Sequence, residues 1–216
     1  MNNSWSENVW QKAEPIYKAI EQMPFIQELC KGTLPQENYL FYIKQDTIYL
    51  TEYGKILSGI SSKLQDINDR NTFLHFSLDS IICELEQHNK LIKNAVDLKF
   101  TQASPACQLY TGFLSQMLLS YPVETAMAAI LPCFKIYRAI GKYLISNKTD
   151  NNPYQSWIDT YNSDIFDKST IEAETIISRY AEKSEHSEMM TQAYLRACRR
   201  EYMFWDSAYN KENWIF

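Results

Sequence analysis

Glycine is scarce in this chain, with 5 residues in 216, and proline is little commoner at 7. That leaves little material for the tight turns on which β-rich folds depend. Histidine occurs only at His75, His88 and His186, preceded three residues earlier by Thr72, Leu85 and Lys183. The paired Glu-x-x-His motifs of a carboxylate-bridged di-iron bundle are therefore missing. Glu84 lies four before His88 and reads as a solvated helix pair rather than half a metal site. An oxidase reading, di-iron or haem, has only lone histidines to rest on, and no metal ligand set is expected. Basic residues are not in excess either: 21 Lys and Arg face 26 Asp and Glu, a net charge of −5. Nucleic-acid binding needs a basic stripe, so no nucleic-acid partner is expected. The densest basic run, Arg196, Arg199 and Arg200, is short, meets Glu201 directly and reads as a helix flank.

Long apolar runs are also absent. No window approaches 18 consecutive apolar residues, and the opening Met-Asn-Asn-Ser-Trp-Ser-Glu lacks the basic and apolar regions of a signal peptide. No membrane association is expected, and the compartment that follows is the cytoplasm. The five cysteines (Cys30, Cys83, Cys107, Cys133, Cys198) are odd in number, widely spread and free of any CxxC. Neither a disulfide framework nor a zinc site is indicated.

What the chain has is tyrosine, 15 residues of it, and helical apolar spacing almost throughout. Ser4 can cap a first helix carrying Trp5, Val9, Trp10 and Ile16, with a break near Met23-Pro24-Phe25. Gly32 to Glu37 reads as a helix stop and a new start, with Pro35 near the first turn. A long helix then runs to about Lys63, and another from Asp69 to about Val96. Ser104-Pro105 opens a fourth helix, Tyr121-Pro122-Val123-Glu124 a fifth that reaches about Ser146. A short helix ending near Tyr161, one from about Ser169 to Glu182 and one from about Ser187 to Tyr209 complete the reading. The expectation is one all-α domain over 1–216, a compact bundle of seven or eight helices.

Three of these helices carry residues that could do chemistry. Tyr42, Asp46, Tyr49 and Tyr53 follow i, i+3/i+4 spacing and share one face of the second. A carboxylate inside a row of phenols is odd on a core face, because an unpaired buried charge is costly. The alternative is an exposed Asp46 beside partly exposed rings, and spacing alone does not separate the two. Cys133 stands one turn from Tyr137 in Leu-Pro-Cys-Phe-Lys-Ile-Tyr, although a cysteine on an apolar face is more often a packing residue. Glu201 and Trp205 lie one turn apart on the last helix, where Glu201 has Arg199 and Arg200 as ready ion-pair partners.

Taken together, four runs resemble the TenA/thiaminase II family. They are Gln45-Asp46-Thr47-Ile48-Tyr49-Leu50, Leu131 to Tyr137, Trp157-Ile158-Asp159-Thr160-Tyr161 and Glu201-Tyr202-Met203-Phe204-Trp205. They stand in the family's order with matching separations, and Pro24-Phe25, Gly32-Thr33-Leu34 and Trp205 to Tyr209 agree too. The resemblance implies an all-α fold of the haem-oxygenase type and a homotetramer. It also implies cofactor-free cleavage of 4-amino-5-aminomethyl-2-methylpyrimidine to the hydroxymethyl pyrimidine and ammonia, in thiamin salvage, with thiamin itself as a second substrate. Carried over by position, Cys133 matches the nucleophile and Glu201 the proton donor to the leaving amine. Asp46, Tyr137 and Tyr161 match residues that bind the pyrimidine, while Tyr49 and Tyr110 match phenols that line the site and assist the thiol.

The chemistry explains the residue types. Direct displacement at the methylene is poor because the amine leaves badly. Addition of a thiolate to the ring divides that hard step into two easier ones. The acid must hold a proton near neutral pH, which an apolar pocket favours. Two departures from the family are visible: Met23 replaces a histidine before Pro-Phe, and Asn162-Ser163 replaces glycines after Tyr161. Neither touches the nucleophile or the acid. The alternative function is a non-catalytic, pyrimidine-binding regulatory protein of the same fold. Its site should have lost at least one of Cys133, Glu201 and Asp46, and all three are present.

Overall fold

The computed structural model describes the backbone of residues 3–93 and 102–215, and the side chains there except at 87, 88 and 90–93. Nine α-helices and no strand occupy the described residues: α1 (Trp5–Gln22), α2 (Pro24–Lys31), α3 (Gln36–Lys63), α4 (Ile67–Lys93), α5 (Pro105–Ser120), α6 (Val123–Asn147), α7 (Gln155–Tyr161), α8 (Asp164–Lys183) and α9 (Ser187–Asn210). The all-α expectation holds. The helix beyond the expected seven or eight is α2. Pro24, read as a break, is its first residue, preceded by an extended Met23. The expected end of α4 near Val96 and the side chain of His88 lie outside the described residues.

The chain forms two compact units, Met1–Leu34 with Glu124–Met203, and Pro35–Val123 with Phe204–Phe216. In the first, Ser4 caps α1 in a full capping box with Glu7, and Trp5 Nε1 donates to Thr191 Oγ1 at 3.1 Å. α1 packs against α2 and α8, and α7 against α8. Gly32 ends α2 with φ at 69°, a left-handed conformation that a side chain would strain, and Thr33 N donates back to Glu28 O at 2.9 Å. The freed carbonyls of Leu29 and Cys30 accept from Asn152 Nδ2 at 2.8 and 3.0 Å, which ties the α6–α7 connection to the end of α2.

Helix α8 begins at Asp164, five residues before the expected start. Ser163 Oγ accepts from Phe166 N as N-cap, and Asp164 and Asp167 complement the positive end of the helix. The Asn162-Ser163 departure thus ends α7 and caps α8. An ion-pair network joins α6 to α8. Lys135 pairs with Glu174, Arg138 with Asp167 at 2.6 Å, and Lys142 with Asp167 at 2.7 Å.

In the second unit α3 lies along α4, and α5 packs on α3. Ser77 Oγ donates to Gly54 O at 2.8 Å and Ser80 Oγ to Leu50 O at 3.0 Å, so small hydroxyls stitch the two long helices together. Asp66 Oδ1 accepts from Asn68 N and Asp69 N, which starts α4 two residues before its expected beginning. Ser104 caps α5 as expected, accepting from Cys107 N at 3.2 Å. Gln45 of α3 clamps the same point, accepting from Ser104 N at 2.7 Å and donating to Gln102 O at 3.2 Å.

Candidate active site

The tyrosine face of α3 is core. Tyr42, Tyr49 and Tyr53 are buried, and Asp46 among them is 2% exposed. The reading of Asp46 as a solvated carboxylate is thereby excluded. Tyr42 Oη donates to Asp46 Oδ2 at 3.2 Å, one turn along the helix. Around this carboxylate the rings interlock. Tyr42 stacks on Trp205 with centroids 4.9 Å apart and planes within 6°, and Tyr49 meets Tyr110 at 5.0 Å, Tyr53 at 5.3 Å and Phe204 at 5.7 Å. Tyr49 and Tyr110 are therefore in contact, as a shared site requires. Cys107 is buried beside them, its thiol pushed up to about 12, first by burial and then by the charges of Asp46 and Glu52. Such a thiol is inert, which leaves it a packing role.

The first unit holds the remaining residues. Cys133 is half-buried on α6, directly after Pro132, which stands inside the helix. Proline has no amide to donate, so the Ala128 carbonyl loses its helical partner one turn before the thiol. One turn beyond Cys133, Tyr137 meets Tyr161 at 4.7 Å and Trp157 at 6.1 Å. Tyr161 also packs edge-on against Phe166 at 5.2 Å, and Phe166 stacks on Phe134 at 6.2 Å. Gly141 makes this possible. Its missing Cβ would lie 2.5 Å from the Tyr161 carbonyl oxygen, so α7 reaches α6 only because nothing projects there.

Glu201 is 1% exposed on α9, a buried carboxylate. Tyr194 and Cys198, both fully buried, precede it at i−7 and i−3 on the same face. Burial and then Glu201 push the Cys198 thiol upward. Burial, followed by Cys198 and Glu174, holds the Tyr194 phenol well above its usual range. The sequence assigns no role to Tyr194 or Cys198, although the 4-and-3 spacing of Tyr194, Cys198 and Glu201 is a signal that they share a face. The aromatic partners Trp157, Phe204 and Phe166 also went unassigned.

The structure thus brings together Asp46, Tyr49 and Tyr110 in one unit, and Tyr137 with Tyr161, a turn from Cys133, in the other. No three of His, Cys, Asp and Glu among the described residues are grouped to hold a metal ion. His75 is exposed and its Nδ1 lies 2.9 Å from Asn71 O, a structural contact. No helix among the described residues is long and apolar enough to cross a membrane.

Comparison with known proteins identifies what the chain is similar to. The chain is 28% identical over 200 residues to the aminopyrimidine aminohydrolase of Bacillus subtilis, covering 88% of this chain and 84% of that one. It is 28% identical over 224 residues to the enzyme of the same name in Halalkalibacterium halodurans, covering 99% of both. It also matches the thiamine biosynthesis multifunctional protein ThiED of Corynebacterium efficiens at 29% identity, with 97% of this chain aligned to 29% of that larger protein. Among solved structures, a TenA homologue from P. horikoshii OT3 superposes with a TM-score of 0.86 at 26% identity, over 96% of this chain and 99% of that one. A domain with a heme oxygenase-like fold from Shewanella denitrificans superposes at 0.76, over 95% and 92% of the two chains, and at 14% identity it speaks to fold alone. The sequence model of the TENA/THI-4/PQQC family matches residues 10–211, and the chain belongs to that family.

Proposed function

We propose that this chain is an aminopyrimidine aminohydrolase of thiamin salvage, converting 4-amino-5-aminomethyl-2-methylpyrimidine to 4-amino-5-hydroxymethyl-2-methylpyrimidine and ammonia. The observation that carries the proposal is the burial of two carboxylates, Asp46 and Glu201, at 2% and 1% exposure. An interior carboxylate costs several kcal/mol of desolvation on the order given by continuum electrostatics, and a fold that keeps two has a use for them.

In this mechanism Asp46, positioned by the Tyr42 hydroxyl, accepts hydrogen bonds from the substrate's 4-amino group. Tyr137 and Tyr161 present flat faces for the pyrimidine. The Cys133 thiolate adds to the ring, while Glu201 gives its proton to the exocyclic amine. Electrons from the adduct then expel ammonia and leave an exocyclic methylene. Water adds there, returns a proton to Glu201, and the C–S bond breaks to restore the ring and the thiolate. Tyr49 and Tyr110 carry the phenols assigned to assist the thiol. Every step uses side chains, so the reaction needs no cofactor. Thiamin undergoes the same addition and expulsion, but its quaternary thiazolium leaves as neutral thiazole without a proton from Glu201, and the proton of the added water goes to solvent. The working form in this reading is a cytoplasmic homotetramer.

The test is ammonia release from the aminopyrimidine, with liberated thiazole measured from thiamin in parallel. Faster turnover of the aminopyrimidine supports the salvage assignment. Absence of both reactions, with the pyrimidine still bound, would replace it by the regulatory reading.

A further inference from the structure

The first turn of α5 is held from outside the helix. Pro105 has no amide to satisfy, Ser104 Oγ accepts from Cys107 N at 3.2 Å, and the Ser104 carbonyl accepts from Gln108 N at 2.9 Å. The amide of Ala106 is left over. Its acceptor is the Glu212 carboxylate at 3.3 Å, 106 residues further along the chain. A negative group there also meets the positive end of the helix. Two residues on, Trp214 Nε1 donates to Ala103 O at 2.9 Å, just ahead of the N-cap. Glu212 and Trp214 thus grip the chain on both sides of Ser104.

The segment that carries them is itself anchored. After α9, Lys211 turns into the left-handed region at φ 49°, with Glu212 N donating to Ser207 O at 2.9 Å and Lys211 N to Ala208 O at 3.4 Å. Glycine usually takes this conformation, so a lysine in it is held by its surroundings. Lys211 Nζ pairs with Glu37 of α3 at 2.8 Å, and Asn38 Nδ2 of α3 donates to Tyr209 O. Ser207 Oγ donates to Ser104 Oγ at 3.3 Å. Gln45 of α3 grips the same loop at residues 102 and 104. The start of α5 is therefore fixed by two elements at once, α3 and the residues that follow α9.

What stands next along each helix gives this point its importance. Asp46 follows Gln45 directly on α3. Tyr110 stands one turn beyond Ala106 on α5, its ring 5.0 Å from that of Tyr49. Cys107 Sγ, between Ala106 and Tyr110, donates to Gln45 O at 3.6 Å. A first turn that slips carries the Tyr110 phenol with it.

We propose that Glu212 and Trp214 are positioning residues, which hold the first turn of α5 against α3 and so set the Tyr110 phenol on Tyr49. The effect on turnover rests on the hydrolase reading; the hold on α5 does not.

Amide hydrogen exchange and steady-state kinetics on the whole chain carrying Glu212→Ala with Trp214→Phe test it. Glu212 is exposed and Trp214 is 46% exposed, so the double variant should keep the parent's helical circular dichroism. Its amides at 106–112 should exchange about 10-fold faster or more. Its kcat for ammonia release should fall about 5- to 10-fold with KM within about 2-fold of the parent, because the residues assigned to bind the pyrimidine lie outside α5. Glu212→Gln keeps an acceptor oxygen for Ala106 and should retain the parent's kcat. Unchanged exchange in α5 overturns the hold. Faster exchange with unchanged kcat, or a rise in KM that matches the fall in kcat, overturns the positioning of Tyr110. A parent that releases no ammonia refutes the hydrolase reading instead, and exchange in α5 then decides the proposal by itself.

Discussion

Replacing Gly141 with alanine adds one methyl group to the middle of α6, where an exposed helix would gain about 1 kcal/mol from the change. Here the methyl would lie 2.5 Å from the Tyr161 carbonyl oxygen, 2.8 Å from its carbon and 3.1 Å from its Cβ. Ordinary contact begins near 3.4 Å, so α7 must retreat by about 0.9 Å. Overpacking of this kind costs about 1–3 kcal/mol. Set against the propensity gain, the net loss is up to about 2 kcal/mol, a fall in Tm of at most roughly 4–8 °C for a chain of this size. The retreat also displaces Tyr161, and a shift near 1 Å in a binding group can cost about 100-fold in kcat/KM. Gly112 on α5 is the control. A Cβ there meets nothing within 4 Å, and Gly112→Ala should raise stability by about 0.5–1 kcal/mol. Urea unfolding of both variants and steady-state ammonia release from the aminopyrimidine provide the measurements. If Gly141→Ala is as stable as Gly112→Ala, the close approach of α6 and α7 is wrong. Destabilisation with unchanged kinetics would instead remove Tyr161 from the substrate's contacts.

Cys133→Ser should lose about 10³-fold or more in turnover while its urea midpoint stays within about 0.5 kcal/mol of the parent; retained activity would end the adduct mechanism. Glu201→Gln should lose about 10²–10⁴-fold, with the alkaline limb of the pH–rate profile gone; a profile shaped like the parent's would exclude it as the acid. The Asp167 carboxyl is held at about 2, by hydrogen bonds from Arg138 and then Lys142, below its unfolded value. Its stabilisation is therefore complete above pH ~4 and lost as pH falls toward 2, and a third of the side chain is exposed, so Asp167→Asn should cost only about 1 kcal/mol at pH 7. Equal stabilities of parent and variant at pH 7 would count against the pair. Cys107 has the opposite sign: the unfolded thiol ionises near 8.5 while the folded one stays protonated to about 12. Stability should fall as pH rises above about 9, and urea titrations of Cys107→Ala should show a shallower fall.

How much the sequence disclosed depended on what each signal measures. Periodicity reports which residues share a helix face and says nothing of what covers that face. Tyr42, Asp46, Tyr49 and Tyr53 share that face, yet what covers its rings, Trp205 on Tyr42 and Phe204 and Tyr110 on Tyr49, comes from elsewhere in the chain. Helix ends were legible where one residue fixed the backbone, as at Ser4, Gly32 and Ser104. They were missed where a residue had two readings: Pro24 breaks one helix and begins the next, and Ser163 ends a loop and caps α8. Tyr194 and Cys198 were passed over because a buried thiol and phenol look like ordinary core until the carboxylate beside them is known to be buried too.

Pro132 has a bearing on how this chain can be improved in the laboratory. Restoring an amide at position 132 would return a hydrogen bond to Ala128 and gain as much as about 3 kcal/mol. A library screened for heat resistance alone should therefore enrich replacements of that proline. The same replacements close the helical hydrogen-bond ladder directly before Cys133, so a screen for turnover should discard them. Thermal selection and catalytic selection would pull this one codon in opposite directions.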